Sequence, residues 1–293
     1  MLVYRGNNQI YTRRMSSLRF RKISVPGASA AYAPTTIDLK FSTTTAVENH
    51  RLHLLAHIPW HDKYLAHVPQ AYRNFFKFVL PYLSTRTSDV HTAISLGFVN
   101  ELITNIDPGT NPYLAHLAVT LHDCGWCRVD DAQIADSLDY SGVIFTPAAA
   151  MAKHLHTVHG SQLAAELLRH YDFAQPLSSS EIDLISNIAL WHERPLEYQI
   201  NGRTPSALLV ACEADRLWPF THENFWLDVV RKGVEPGAYI QNVGTSVEGL
   251  FLTPVGQTIA WRLINERITE VAEYETFMAR QTPTAPILRT ATA

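Results

Sequence analysis

Apolar residues recur at intervals of three and four along the middle of the chain, from about Val47 to Met278. This spacing is typical of amphipathic helices that bury one face, and no alternation of strands and helices interrupts it. One such stripe consists of Leu114, Leu117, Ala118 and Leu121. The pattern therefore predicts an all-α fold, a helical bundle.

Several of these helices carry recognisable end signals. Asn111 followed by Pro112 provides an N-cap and a proline at the first helical position, where its missing N–H costs nothing. Ser178 and Glu181 have the spacing of a capping box ahead of another apolar stripe. Gly125 is predicted to end the helix that Asn111 begins, as a C′ residue.

Three segments depart from this pattern. Residues 237–253 are rich in glycine and β-branched residues, and we predict a small hairpin there. Residues 1–46 are predicted to be a basic, disordered N-terminal extension, and residues 281–293 a disordered tail, which leaves one helical domain over residues 47–280. No acidic residue precedes Asp38, a composition also typical of an organellar transit peptide.

Composition and charge exclude several classes of protein. The formal net charge of −3 gives no electrostatic case for nucleic acid. No apolar run approaches the roughly 20 residues that a membrane span needs, and so no membrane association is expected. Three cysteines cannot form a disulfide framework, which favours a reducing, cytoplasmic compartment. A mitochondrial location is the alternative if the basic extension is a transit peptide.

Histidines and aspartates occupy faces of the predicted helices that should be buried. A buried and unpaired carboxylate costs several kcal/mol or becomes protonated, so these aspartates need partners. Any single histidine here is also consistent with a core residue that is hydrogen-bonded to a carbonyl. Taken together, the residues favour a divalent metal site, because each ligand compensates the others. The residues are His91, His122, Asp123, His192 and Asp215.

One further helix offers two candidate ligands. His156 and His159 share a face with Leu163, whereas His154 points well away from that face. Periodicity alone leaves both candidates open.

The order of these residues resembles the HD superfamily of metal-dependent enzymes. Its signature is a histidine on one helix, a His-Asp pair that ends another and an aspartate on a late helix, and its dinuclear branches add two histidines between the pair and that aspartate. The residues that match are His91, His122, Asp123, His159, His192 and Asp215. The resemblance covers roughly residues 88–218 and selects His159 over His156.

The resemblance implies a dinuclear centre and a catalytic role for Asp123 and His122. One ion would be held by His91, His122, Asp123 and Asp215, and the other by His159 and His192 with Asp123 bridging. The expected ions are two divalent transition metals, iron or manganese, with zinc as the alternative. A solvent molecule that the cations activate as hydroxide would be the nucleophile.

The implied function is hydrolysis of a phosphate ester or phosphoanhydride of a small molecule. The alternatives are a mixed-valent di-iron oxygenase acting on a small metabolite, and a catalytically inactive regulatory module. The oligomeric state is not predicted.

Three residues are predicted to contact the substrate. Lys153 and Arg194 lie close in sequence to ligands of the second ion, and a site that binds an anion usually supplies a cation. For Arg194, a solvated surface pair with Glu193 is the alternative. Trp126 stands where many HD relatives carry lysine or histidine; it is predicted to line an apolar pocket, with core packing as the alternative.

Overall fold

The computed structural model describes the body of the chain and four short stretches before it. The described residues are 2–6, 9–13, 20–26, 34–41 and 56–281, apart from 86, 131–132 and 135–146. The helices are α1 (Arg73–Val79), α2 (Ser88–Leu96), α3 (Val99–Ile106), α4 (Pro112–Leu121), α5 (Pro147–His170), α6 (Ser179–Trp191), α7 (Ser206–Arg216), α8 (His222–Lys232), α9 (Pro236–Thr245), α10 (Val247–Leu250) and α11 (Pro254–Gln281). Short 3₁₀ turns include Cys124–Arg128 and Trp218–Phe220. The all-α prediction is confirmed for this body.

Short strands precede the helical body. They are β1 (Leu2–Gly6), β2 (Gln9–Arg13), β3 (Phe20–Pro26), β4 (Pro34–Phe41) and β5 (Ala56–His57). β1 pairs with β2, and β4 pairs with both β3 and β5, all antiparallel. The described parts of the predicted disordered extension are therefore strands. The rest of that extension and residues 282–293 lie outside the described residues.

The predicted hairpin over residues 237–253 is wrong, because α9 and α10 occupy this segment. Pro236 stands at the start of α9, where a proline is well tolerated. The branched residues Ile240, Val243 and Val247 follow at intervals of three and four, and all three are buried. Burial of one helical face thus outweighs the β propensity of its residues.

Two of the predicted helix starts are formed by the expected caps. The Asn111 side chain accepts a hydrogen bond from the backbone N–H of Tyr113 at 3.0 Å, at the start of α4. At the start of α6, the Ser178 Oγ accepts from the Glu181 N–H at 3.3 Å, and the Glu181 carboxylate accepts from the Ser178 N–H at 2.8 Å. These bonds satisfy N–H groups that have no partner within the helix.

Helix α4 lies among the helices that carry the candidate ligands. It contacts α2, α6 and α7, while α5 packs along α6 and against the Cys124–Arg128 turn. The side chains that fill these contacts are fully buried, and they include Leu117, Leu121, Ile185, Ile188 and Leu208. This packing brings the C-terminal ends of α4, α6 and α7 towards the middle of α2 and α5. Among the described helices, none combines the length and the apolar character that a membrane span requires.

Candidate metal centre

Two of the candidate histidines stand at the C-terminal ends of their helices and are oriented in the same way. The His122 Nδ1 lies 2.7 Å from the carbonyl oxygen of Val119, and the His192 Nδ1 lies 2.9 Å from that of Ala189. Since a carbonyl oxygen only accepts, each Nδ1 carries the proton and donates it. Each Nε2 is then left with a lone pair that is available to a metal ion.

The first group of candidate ligands joins α2, α4 and α7. The Nε2 of His91 lies 3.1 Å from Asp215 Oδ1, and its Nδ1 lies 3.3 Å from Asp123 Oδ2. The His122 Nε2 lies 3.6 Å from Asp215 Oδ1 and 3.8 Å from Asp123 Oδ2. Each of the two imidazoles therefore lies within 3.8 Å of both carboxylates. Asp215 is the most accessible of the four, with 25% of its side chain exposed.

The second group joins the end of α4 to α5 and α6. The Nε2 atoms of His156 and His192 are 3.3 Å apart. They lie 3.6 and 3.7 Å, respectively, from Asp123 Oδ1. Asp123 thus belongs to both groups, with Oδ2 facing the first group and Oδ1 facing the second.

The donor atoms fit a transition-metal ion in both groups. Ligands bound to one such ion at about 2.1 Å lie roughly 3.0–3.5 Å from one another, close to the separations found here. The His122 Nε2 is buried and makes no hydrogen bond among the described residues, as expected of an atom that is reserved for a metal. Imidazole with carboxylate is also the donor set that iron, manganese and zinc accept. The buried groups can therefore hold metal ions.

The electrostatics of the site favour positive charge. Burial would lower the pKa of His91, but the carboxylates of Asp123 and Asp215 outweigh it and raise that pKa to about 9. Burial would raise the pKa of Asp123, yet His122 and His91 hold it well below its ordinary value. The pKa of Asp215 is lowered in the same way, by the same two imidazoles. Two ionised carboxylates in a buried site are what a cation would balance.

The structure places His156 of α5, rather than the predicted His159, beside the other candidate ligands. His156 has no exposed surface and points at Asp123 and His192, whereas His159 is half-buried and belongs to neither group. The Cys124–Arg128 turn, which follows Asp123, determines which residues of α5 face the candidate site. A Cβ on Gly125 would lie 1.9 Å from the His156 carbonyl oxygen, so turn and helix touch backbone to backbone. Gly125 is therefore required for close packing, and its φ is not positive as the predicted C′ role would require.

The two cations predicted to bind substrate are both paired with carboxylates. The Lys153 Nζ lies 2.9 Å from Oε2 of Glu193, the residue that follows His192 in the sequence. Arg194 is exposed; its guanidinium lies 3.2 Å from Glu197 Oε2 and 5.2 Å from the ring centre of Trp191. The carboxylate partner of Arg194 is thus Glu197 rather than Glu193. Neither cation presents an uncompensated charge to the centre.

Trp126 packs against the candidate ligands as a buried side chain. Its side chain is buried, its indole N–H donates to Asp123 Oδ1 at 3.1 Å, and its ring stacks on His156 at 4.1 Å. Trp218 stacks on His91 at 5.0 Å in the other group. The sequence places Trp126 three residues after Asp123, but it does not reveal that each of these indoles packs on a particular imidazole.

Comparisons with family models, with curated proteins and with solved structures found no match. The geometry of the six side chains is therefore the basis for any functional assignment.

Proposed function

We propose that this protein is a metal-dependent hydrolase of the HD type that takes two divalent transition-metal ions. The observation that carries the proposal is the division of the Asp123 carboxylate, whose Oδ2 faces His91 and His122 while its Oδ1 faces His156 and His192. A carboxylate shared in this way is suited to bridge two ions. The mixed imidazole and carboxylate donors favour iron or manganese, with zinc as the alternative.

The residues of the chain have separable roles in this proposal. His91, His122 and Asp215 hold the first ion with Asp123, and His156 and His192 hold the second. Two bound ions supply Lewis acidity, which polarises a substrate oxygen and lowers the pKa of water. The carboxylate of Asp215 is the most exposed ligand, and we therefore expect substrate to approach the centre from its side.

The proposed substrate is a small molecule with a phosphate ester or phosphoanhydride bond. This choice rests on the resemblance to HD hydrolases. The two predicted substrate-binding cations do not add support, because Lys153 and Arg194 are both paired with carboxylates. That same observation favours the second candidate, a di-iron oxygenase that acts on an uncharged or weakly charged metabolite. A phosphate would normally be met by a free cation, whereas an oxygenase substrate need not be.

Metal content tests the proposed centre. Protein purified without oxygen should contain about two transition-metal ions per chain, and Asp123→Ala should lose both, because this residue contacts both groups. His154→Ala is the matched control, since His154 is exposed on α5 and should keep both ions. Full metal content in Asp123→Ala would show that the centre is misplaced.

The same preparation separates the two reactions. A hydrolase should release phosphate from a panel of phosphoesters and phosphoanhydrides when loaded with zinc or iron, with or without dioxygen. An oxygenase should consume dioxygen only when it is loaded with iron and given a substrate. Substrate-dependent oxygen uptake without phosphate release would replace the hydrolase proposal with the oxygenase.

A further inference from the structure

Each half of the centre contains one indole ring stacked on one candidate ligand. Trp126 stacks on His156 with 4.1 Å between ring centres and 6° between planes. Trp218 stacks on His91 at 5.0 Å and 20°. Only for Trp126 does the structure also show a hydrogen bond to a carboxylate of the centre, from its indole N–H to Asp123 Oδ1 at 3.1 Å.

This hydrogen bond makes the two oxygens of Asp123 inequivalent. Oδ1, which receives it, is the oxygen that faces His156 and His192. Oδ2 faces His91 and His122 instead. Trp126 therefore contacts two candidate ligands of the second group, the shared Asp123 carboxylate and the His156 ring.

The position of Trp126 is itself tightly constrained. It lies on the short turn that Asp123 begins, and its backbone N–H donates to the Asp123 carbonyl at 3.2 Å. Only 4% of the residue is exposed. Held in this way, the indole restricts both the rotation of the Asp123 carboxylate and the plane of the His156 ring.

We propose that Trp126 is a positioning residue for the second metal ion: it orients Asp123 Oδ1 by a hydrogen bond and His156 by stacking. The inference rests on the proposed dinuclear centre, but it does not depend on which reaction that centre performs. Partners that orient metal ligands typically contribute about 10- to 100-fold to metal affinity. The affinity of the second position should therefore depend strongly on Trp126, and that of the first much less, since Trp126 reaches it only through the shared Asp123 carboxylate.

The test is a calorimetric titration of metal-free protein with Zn²⁺, in which the wild type should show two binding steps. Trp126→Phe retains an aromatic ring but loses the N–H, and it should weaken one step by about 10- to 100-fold and the other much less. Trp218→Phe is the matched control; it alters the stack on His91 and should leave the step that depends on Trp126 intact. Circular dichroism would verify the fold of each variant.

A second substitution keeps the test decisive if Trp126→Phe does not fold. Benzothienylalanine at position 126 replaces the N–H by sulfur within a bicyclic ring of nearly the same shape, and it should produce the same selective loss. Unchanged titrations, or equal weakening of both steps, would overturn the inference alone. A wild-type protein with no second binding step would overturn the proposed function and the inference together.

Discussion

At the scale of single residues, the centre depends on which imidazole of α5 faces Asp123. His156 Nε2 lies 3.6 Å from Asp123 Oδ1 and 3.3 Å from His192 Nε2, at a position with no solvent access. His159 lies nearly one turn further along, is half-buried, and takes part in neither group. The two histidines provide a matched pair, because they have the same chemistry on the same helix.

His156→Ala should therefore retain about one metal ion per chain, and His159→Ala should retain about two. The reason is that the first variant removes a donor of the second group and leaves the first group of ligands complete. Elemental analysis of both purified variants, beside the wild type, measures the difference. If His159→Ala lost metal while His156→Ala kept it, the register of α5 described here would be wrong.

At the scale of elements, the contact between the Cys124–Arg128 turn and α5 brings His156 to Asp123. The contact requires glycine, because a Cβ on Gly125 would lie 1.9 Å from the His156 carbonyl oxygen and 2.3 Å from the Gly160 nitrogen. Both of these atoms belong to the backbone, so neither can move away by a side-chain rotation. Turn or helix would have to shift.

Gly125→Ala should therefore destabilise the fold by about 1–3 kcal/mol and reduce occupancy of the second metal position. Urea unfolding measures the first effect, and metal analysis the second. Gly249→Ala is the control: this glycine is exposed in α10, and a Cβ there would meet nothing within 4 Å. A Gly125→Ala protein with normal stability and metal content would argue against the close backbone contact.

At the scale of the whole molecule, a buried charge network joins α8 and α11 to the Trp218–Phe220 turn. Glu270 accepts hydrogen bonds from Arg267 at 2.8 Å and Trp226 at 2.9 Å, and His222 lies 3.0 Å away. Arg267 also donates to the Phe220 carbonyl at 3.2 Å. Because Trp218 stacks on His91, the network connects the C-terminal helix to one edge of the centre.

Glu270→Gln should cost about 3 kcal/mol of stability, since it leaves the buried Arg267 with the exposed Glu266 as its remaining carboxylate partner. Burial would raise the pKa of Glu270, but His222, Arg267 and Trp226 outweigh it and lower that pKa. A lowered folded pKa means that this stability is complete above the unfolded value of about 4.3 and is lost as the pH falls further. Urea unfolding at several pH values measures this trend.

The difference between wild type and Glu270→Gln should thus be largest near neutral pH and should shrink below about pH 4. Glu101→Gln is the comparison variant, because its pair with Arg262 lies on the surface and should contribute less than about 1 kcal/mol. A constant difference across the acid range would exclude Glu270 as the titrating group.

Much of the fold is local in origin, and the sequence predicts that part well. The caps at Asn111 and Ser178 depend on bonds within a few residues, so α4 and α6 begin where the pattern places them. The hairpin was mispredicted because β propensity in residues 237–253 is a weak local preference. It yields to the burial of Ile240 and Val243 on one helical face.

The candidate site likewise has a part that the sequence predicts and a part that it does not. Hydrophobic periodicity alone places His91, His122, Asp123, His192 and Asp215 on inward faces, and the structure brings these five together. Periodicity does not discriminate between His156 and His159, because residues three apart share a helical face. That choice, the pair of Lys153 with Glu193 and the stack of Trp126 on His156 all depend on contacts between separate helices or turns, whose distances only the packed molecule sets.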